Sequence, residues 1–186
     1  TFVTTWMDSF ADKLYAEAYD KNMIDKDEYP ATAAIEAKCA RMMAHLWNAP
    51  DETIGVSTIG SSEACMMGGL AFLKRWKAAR KAAGKSADSP NMVMSSTVQV
   101  VWERFCRYWD VELRTVDVTL DQPYLTPEGM LAQVDENTIG VVGILGVTYT
   151  GGYEPIAELA AALDDLQERT GLDVPLHVDG ASGGMI

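Results

Sequence analysis

Two hydroxyl side chains stand at the start of a long helical pattern in this sequence, in the run Gly60-Ser61-Ser62-Glu63-Ala64. The first N–H groups of a helix have no carbonyl partner within the helix, and the helix dipole places partial positive charge there. Serine hydroxyls beside these groups can complete a binding site for a phosphate. An ordinary helix start, with Ser62 as the capping residue and nothing bound, fits the same residues. The motif alone leaves both interpretations open.

An aspartate, Asp179, ends a short apolar strand and precedes a turn of small residues, Gly180-Ala181-Ser182-Gly183-Gly184. Open α/β sheets bind ligands outside the carboxyl ends of their strands, which is where Asp179 is predicted to lie. A carboxylate buried there costs free energy unless a cation or hydrogen-bond donors meet it. A protonated pyridine nitrogen is one such cation. The alternative is an aspartate that caps the turn after the strand.

The histidines and cysteines offer weaker candidates. His177, at a strand end, and His45, on an apolar helix face, are interpreted as structural residues. Cys39, Cys65 and Cys106 cannot all pair, and they show neither C-x-x-C nor Cys/His metal spacing. We interpret each cysteine as a small buried hydrophobic residue of a helix in a reducing, cytoplasmic setting, and we predict no metal site.

These candidates depend on a predicted series of helices and strands. Apolar residues recur at steps of three and four over 4–19 and 31–47, which predicts two helices. Beyond Gly60 helices and strands alternate, and Val141–Leu145 is apolar throughout, as in a sheet covered on both faces. The predicted helices span 63–83, 98–108, 127–134 and 156–170, and the predicted strands span 92–95, 111–118, 139–147 and 174–178. The fold class is therefore α/β, with a helical segment over 1–50 and a sheet domain over 51–186.

Charge and hydropathy restrict the partners. The chain has 15 Lys and Arg against 27 Asp and Glu, a net charge of -12, which disfavours nucleic acid and anionic membranes as partners. Six basic residues fall within 74–85, and we interpret them as the solvated end of a helix. There is no run of 18 apolar residues, so we predict no membrane association.

Five motifs stand in order along the sequence, namely Ile59–Met66, Tyr108–Arg114, Asp135–Val142, Gly146–Gly151 and His177–Asp179. Together they resemble the bacterial and plant glutamate decarboxylases, which are group II decarboxylases dependent on pyridoxal 5'-phosphate (PLP). The similarity covers essentially the whole chain. It implies the large domain of the PLP-dependent transferase-like fold of type I, with a mixed, mostly parallel sheet flanked by helices. It also implies decarboxylation of L-glutamate to 4-aminobutyrate and carbon dioxide by a homo-oligomer, at least a dimer.

The resemblance implies a role for each matching residue of the cofactor site. Gln99 stands where many decarboxylases of aromatic amino acids have His, which favours glutamate as the substrate. The expected roles are phosphate binding for Ser61 and Ser62, contact with the two ring faces for Gln99 and Ala181, cofactor contact for Thr148, and catalytic bonding to the ring nitrogen for Asp179.

The resemblance also implies residues outside the cofactor site. Thr1 and Phe2 match positions that line the glutamate side-chain pocket, and Asn22 and Asp25 match positions that reach it from a neighbouring subunit. An ordinary Asn-x-x-Asp turn after a helix explains the last two equally well. The chain departs from the family at Gly180, where Ala is usual. The Schiff-base lysine, in a Ser-x-His-Lys segment, and the small domain are expected downstream, so we expect a fragment that is inactive by itself.

Three alternatives remain. The first is another PLP-dependent decarboxylase or lyase of the same group, acting on a different amino acid. The second is a nucleotide-binding oxidoreductase domain, which the strand and helix order fits, although no G-x-G-x-x-G follows a first strand. The third is a non-catalytic module that binds PLP without a covalent bond.

Overall fold

The computed structural model describes residues 6–22 and 24–186. Within the chain, Thr4–Ile59 and Gly60–Ile186 form separate compact units. The domain boundary predicted near residue 50 stays a prediction.

The first unit contains two helices, α1 (Ser9–Ala18) and α2 (Pro30–Leu46). The side chain of Asp8 accepts hydrogen bonds from the N–H groups of Phe10 and Ala11, so α1 begins at residue 9, later than the sequence pattern predicts. Pro30 is the first residue of α2, a position where its missing N–H costs nothing. Cys39 of α2 is exposed. The prediction that all three cysteines are buried is therefore wrong for Cys39.

The second unit is built on a four-stranded sheet in the order β2-β1-β3-β4, and all three strand pairs are parallel. Among the described residues the antiparallel contact is an isolated bridge between Leu145 and Tyr153, outside the strands. The predicted α/β class with a sheet flanked by helices is confirmed. The elements are α3 (Ser61–Ala82), β1 (Asn91–Ser95), α4 (Val100–Tyr108), β2 (Glu112–Val116), α5 (Pro127–Gln133), β3 (Thr138–Ile144), α6 (Ile156–Thr170) and β4 (Leu176–Asp179).

Two hydrophobic clusters cover the two faces of this sheet. Successive side chains of a strand point to opposite faces. Accordingly, Met92 and Met94 of β1 join a cluster with residues of α3 and α4, whereas Val93 joins a cluster with residues of α5 and α6. All seven residues of β3 are buried, as expected for a central strand. The unit therefore has three layers, with α3 and α4 on one face and α5 and α6 on the other.

The basic run at 74–85 lies at the solvated end of α3, as predicted. Arg75 pairs with Asp173, and Arg80 donates a hydrogen bond to the Ser86 carbonyl and lies over the ring of Trp76. In the part of the chain that the structure describes, no helix is both long and apolar enough to cross a membrane.

Candidate active site

The carboxyl ends of β1, β3 and β4 bound a cleft. The strand that follows β1 in sequence lies on one side of it, whereas the strand that follows β3 lies on the opposite side. The connecting helices α4 and α6 therefore leave toward opposite faces, and a crevice opens between the strand ends, where open α/β sheets bind ligands. The cleft contains about 360 Å³ of empty space, including open solvent at its mouth.

Five of the six residues predicted to hold the cofactor line this cleft. They are Ser61, Gln99, Thr148, Asp179 and Ala181. Ser62 is not among the lining residues. The sequence prediction did not name the other lining residues, which are Cys65, Thr97, Val101, Ile144, Gly146 and Ser182.

The amino end of α3 contributes the first predicted element. Gly60 is the residue before the helix, in an extended conformation with φ -178° and ψ 176°, and it has no side chain with which to cap the helix. Ser61 and Ser62 are the first two helical residues, and both are exposed. The alternative interpretation, in which Ser62 caps the helix, is therefore wrong. The positive end of the dipole of a 22-residue helix is directed at the cleft.

Asp179, the last residue of β4, is 8% exposed, and its carboxylate accepts three hydrogen bonds. The indole Nε1 of Trp102 donates to Oδ2 at 3.1 Å, and the Cys65 thiol donates to the same oxygen at 3.5 Å. The N–H of Ala181 donates to Oδ1 at 3.3 Å. Among the residues that the structure describes, no lysine or arginine forms an ion pair with this carboxylate. A buried carboxylate with neutral donors alone is well placed to meet a cationic ligand atom.

His177, two residues before Asp179, belongs to an aromatic cluster. Its ring lies 4.8 Å from that of Trp102, at 70°, and 6.2 Å from that of Phe72. Burial lowers the pKa of the imidazole, although the nearby Asp179 opposes that shift. A half-buried imidazole packed between two rings agrees with the structural role predicted for His177.

Gln99 has a local role as well as its place in the cleft. It is the residue before α4, and its side-chain oxygen accepts a hydrogen bond from the N–H of Val101 at 2.6 Å. That bond caps the start of α4. The carbonyl end of the side chain is thereby fixed at the cleft wall.

The loop after β3, which carries Gly146 and Thr148, is held by a buried carboxyl. Glu154 is 3% exposed, and it accepts hydrogen bonds from the N–H of Ile144 at 2.8 Å and that of Leu125 at 3.2 Å. Burial raises the pKa of this carboxyl. The bridge between Leu145 and Tyr153 closes the same loop. The loop is therefore anchored at its base, where it meets the cleft.

Gly146 of this loop has a backbone conformation and close neighbours that do not suit a side chain. Its φ is +85°, and an added Cβ would lie 3.0 Å from the nitrogen of Gly183 and 3.0 Å from the Cβ of Ser182. We expect Gly146→Ala to lower the free energy of unfolding by about 1–3 kcal/mol, because a left-handed conformation is strained for alanine. It should also weaken binding of the predicted cofactor, because the turn after Asp179 must move. Urea unfolding and PLP titration of the full-length protein measure the two effects.

Gly84→Ala is the matched control. Gly84 also has a positive φ, +67°, but an added Cβ would meet nothing within 4 Å. It should lose stability through the backbone alone and bind PLP normally. Equal PLP affinity in the Gly146→Ala variant and the unsubstituted protein would contradict this account of the loop.

Cys65 and Trp102 contact Asp179, but the sequence prediction did not name them as site residues. Cys65 lies four residues after Ser61 on α3, so the two side chains share a face of the helix. Trp102 is the third residue of α4, which begins after Gln99. Its contact with Asp179 joins residues 77 positions apart in sequence. Local patterns do not predict such a contact.

Four residues, Thr1, Phe2, Asn22 and Asp25, are predicted to bind the substrate. Thr1 and Phe2 are outside the described residues. The side-chain oxygen of Asn22 accepts hydrogen bonds from the N–H groups of Ile24 and Asp25, and Asp25 accepts one from Glu28. Asn22 and Asp25 thus form a turn in the first unit, and their role toward a substrate stays a prediction. Among residues 6–22 and 24–186, no group of three or more His, Cys, Asp or Glu side chains is arranged to hold a metal ion.

Comparison with known proteins gives consistent matches over the whole chain. A glutamate decarboxylase of Aliivibrio fischeri is 53% identical over 188 residues, covering 100% of this chain and 40% of the relative. One from Petunia hybrida is 47% identical over 190 residues, covering 100% and 38%. A solved glutamate decarboxylase of Lactobacillus brevis superposes with a TM-score of 0.93 at 46% identity, covering 99% of this chain and 43% of that one. The predicted resemblance and the type I fold are confirmed.

The chain spans about two fifths of the length of the curated relatives that it matches. The family described as the pyridoxal-dependent decarboxylase conserved domain matches residues 2–186. The predicted cofactor, PLP, is the cofactor of that family. The chain belongs to the pyridoxal-dependent decarboxylase family.

Proposed function

We propose that this chain belongs to an enzyme that uses PLP to decarboxylate L-glutamate to 4-aminobutyrate and carbon dioxide. The observation that carries the proposal is the pair of opposite charges in one cleft, namely the positive end of α3 at Ser61 and the buried carboxylate of Asp179. PLP carries the complementary pair, an anionic phosphate and a ring nitrogen that can hold a proton. The similarity to glutamate decarboxylases supports the choice of substrate.

The phosphate end of the cofactor fits the start of α3. A helix start offers N–H donors and partial positive charge, and Gly60 leaves room for an anion, since even an added Cβ there would meet nothing within 4 Å. In this proposal the hydroxyl of Ser61 binds the phosphate from the cleft wall. Ser62 contributes from the next position of the helix, through its backbone N–H.

The ring end of the cofactor fits Asp179. When bound, PLP supplies an electron sink for the pair of electrons left at Cα as the α-carboxylate departs. Asp179 keeps a proton on the ring nitrogen, because a buried carboxylate strongly favours a cationic neighbour. Gln99 and Ala181 face the two sides of the ring, and Thr148 contacts the cofactor from the loop after β3.

The proposal extends to substrate and assembly. Thr1 and Phe2, outside the described residues, are proposed to bind the glutamate side chain, with Asn22 and Asp25 contributed by a second copy of the protein. The active protein is then a homo-oligomer, at least a dimer, in the cytoplasm. The similarity of the whole chain to glutamate decarboxylases supports these assignments.

Carbon dioxide release from a panel of amino acids tests the substrate. We expect the full-length protein, supplied with PLP, to prefer glutamate over tyrosine and tryptophan by about a hundredfold or more in kcat/KM, because a site that bonds a side-chain carboxylate rejects analogues without it. The preference over aspartate, whose carboxylate is one methylene shorter, should be about tenfold or more. The same protein stripped of PLP is the control. A preference for an aromatic amino acid would overturn the choice of substrate while leaving the family unchanged.

A further inference from the structure

The side chain of Asp179 is held by groups that the decarboxylation chemistry does not itself use. Its Oδ2 receives two side-chain donors, the indole N–H of Trp102 and the thiol of Cys65. Its Oδ1 receives a single backbone donor, Ala181, at 3.3 Å. A carboxylate oxygen can accept two hydrogen bonds, so Oδ1 retains capacity for another donor and Oδ2 does not.

Both side-chain donors are fixed in their donor role. The indole N–H can donate but not accept, so Trp102 always presents its hydrogen to the carboxylate. Burial, together with the neighbouring Asp179, raises the pKa of the Cys65 thiol, which therefore keeps its proton. Each donor stabilises Asp179 as an acceptor. Of the two, the indole bond is the shorter, and the thiol is intrinsically a weak donor.

The position of the indole is fixed by packing. Trp102 is fully buried, and its ring meets those of His177 at 4.8 Å and Phe105 at 6.2 Å, both at 70°. Edge-to-face contacts of this kind restrict the orientation of a ring. The N–H of Trp102 therefore points in a fixed direction, and its hydrogen bond fixes the position of Oδ2 of Asp179.

We propose that Trp102 is a positioning residue, whose indole N–H holds Oδ2 of Asp179 so that Oδ1 is the oxygen that meets the ring nitrogen of PLP. This inference rests on the proposed function, since it assumes that PLP occupies the cleft with its nitrogen at Asp179. If it is correct, loss of the Trp102 N–H lowers the affinity for a cofactor that has the ring nitrogen and hardly changes the affinity for one that lacks it.

The test compares PLP with its deaza analogue, in which carbon replaces the ring nitrogen. In the unsubstituted full-length protein PLP should bind more tightly than the analogue. Trp102→Phe removes the N–H and keeps an aromatic ring, so the carboxylate of Asp179 must be ordered when PLP binds, which should weaken PLP binding about tenfold. It should weaken the analogue much less. Equilibrium titrations of both compounds give the four dissociation constants.

Trp76→Phe is the matched control. The indole of Trp76 also donates a hydrogen bond, to the carbonyl of Glu136 at 3.1 Å, but Trp76 does not line the cleft. Both compounds should bind to this variant as they bind to the unsubstituted protein. If Trp102→Phe does not fold, benzothienylalanine at position 102 replaces the N–H by sulfur and keeps the shape of the indole.

The outcomes separate this inference from the function on which it rests. If the change at Trp102 weakens PLP and the analogue equally, Trp102 acts by packing alone, and the inference is overturned while the proposed function stands. If the unsubstituted protein binds the two compounds equally, the role of Asp179 fails and the inference fails with it. If it binds neither, the proposed function itself is overturned.

Discussion

Replacing Asp179 by asparagine in the full-length protein is expected to lower kcat for glutamate by about a thousandfold, the upper range for loss of one electrostatic contact at a reacting centre. The amide keeps the shape of the side chain and can still accept the hydrogen bond of Trp102, but it no longer carries the charge that holds a proton on the ring nitrogen. Asp179→Ala should abolish decarboxylation as well. In both variants PLP, still held at its phosphate by Ser61 and Ser62, should bind more weakly. Stopped assays of carbon dioxide release and PLP titration measure these effects.

The two substitutions separate chemistry from folding. Alanine leaves the buried donors of Trp102 and Cys65 without a partner, which costs about 1–3 kcal/mol for each unsatisfied group, whereas asparagine keeps an acceptor there. The alanine variant should therefore unfold at lower urea concentration than the asparagine variant. Activity should be lost in both.

Asp135→Asn provides the matched control for Asp179→Asn. Asp135 accepts hydrogen bonds from Arg114 at 2.8 Å and Asn91 at 2.8 Å, in the same unit but away from the cleft. These bonds, with that of the Asn137 N–H, lower the pKa of the carboxyl against the opposing effect of burial. The control should lose stability and keep both PLP affinity and turnover. Near-normal turnover in Asp179→Asn would refute the role assigned to Asp179.

Most of the fold is predictable from the sequence because its signals are local. The continuous apolar segment around Val141 predicts a strand buried on both faces, and β3 is buried along its whole length. The left-handed Gly171, φ +75°, follows α6 where the helical pattern stops. The ends of helices are less predictable, because capping side chains determine them. The side chain of Asp8, for example, determines where α1 begins. The resemblance implied a mixed, mostly parallel sheet, and the three strand pairs among the described residues are parallel.

In the candidate site, too, residues at the end of one helix or strand are predictable from the sequence, whereas residues brought in by distant contacts are not. Asp179 and Ser61 are predictable because each follows from the end of a single element, a strand or a helix. The exposure of Cys39, in contrast to the burial of Cys65, depends on which helix face is covered, and helical periodicity does not specify that. Trp102 reaches the site because α4 packs beside the carboxyl end of β4. Its role arises only in the folded chain.

The start of α3 supports the second large prediction, in which Ser61→Asp strongly weakens PLP binding without loss of folding. Ser61 is the first residue of the helix, it is exposed, and it lines the cleft. An aspartate in the first turn stabilises a helix by about 0.3–1 kcal/mol through the dipole, so the variant should unfold at or above the urea midpoint of the unsubstituted protein. The new carboxylate would repel the phosphate by about 4 kcal/mol at 4 Å near a protein surface, so PLP should bind at least about a hundredfold more weakly.

Three comparisons isolate the phosphate contact at Ser61. Pyridoxal, which lacks the phosphate, should bind equally to the Ser61→Asp variant and to the unsubstituted protein. Ser9→Asp makes the same change at the first residue of α1 and should leave PLP affinity unchanged. Ser62→Asp should weaken PLP less than Ser61→Asp, because the side chain of Ser62 does not line the cleft. Loss of pyridoxal and PLP binding to the same extent in Ser61→Asp would show that the start of α3 is not the phosphate site, since repulsion of a phosphate requires the phosphate.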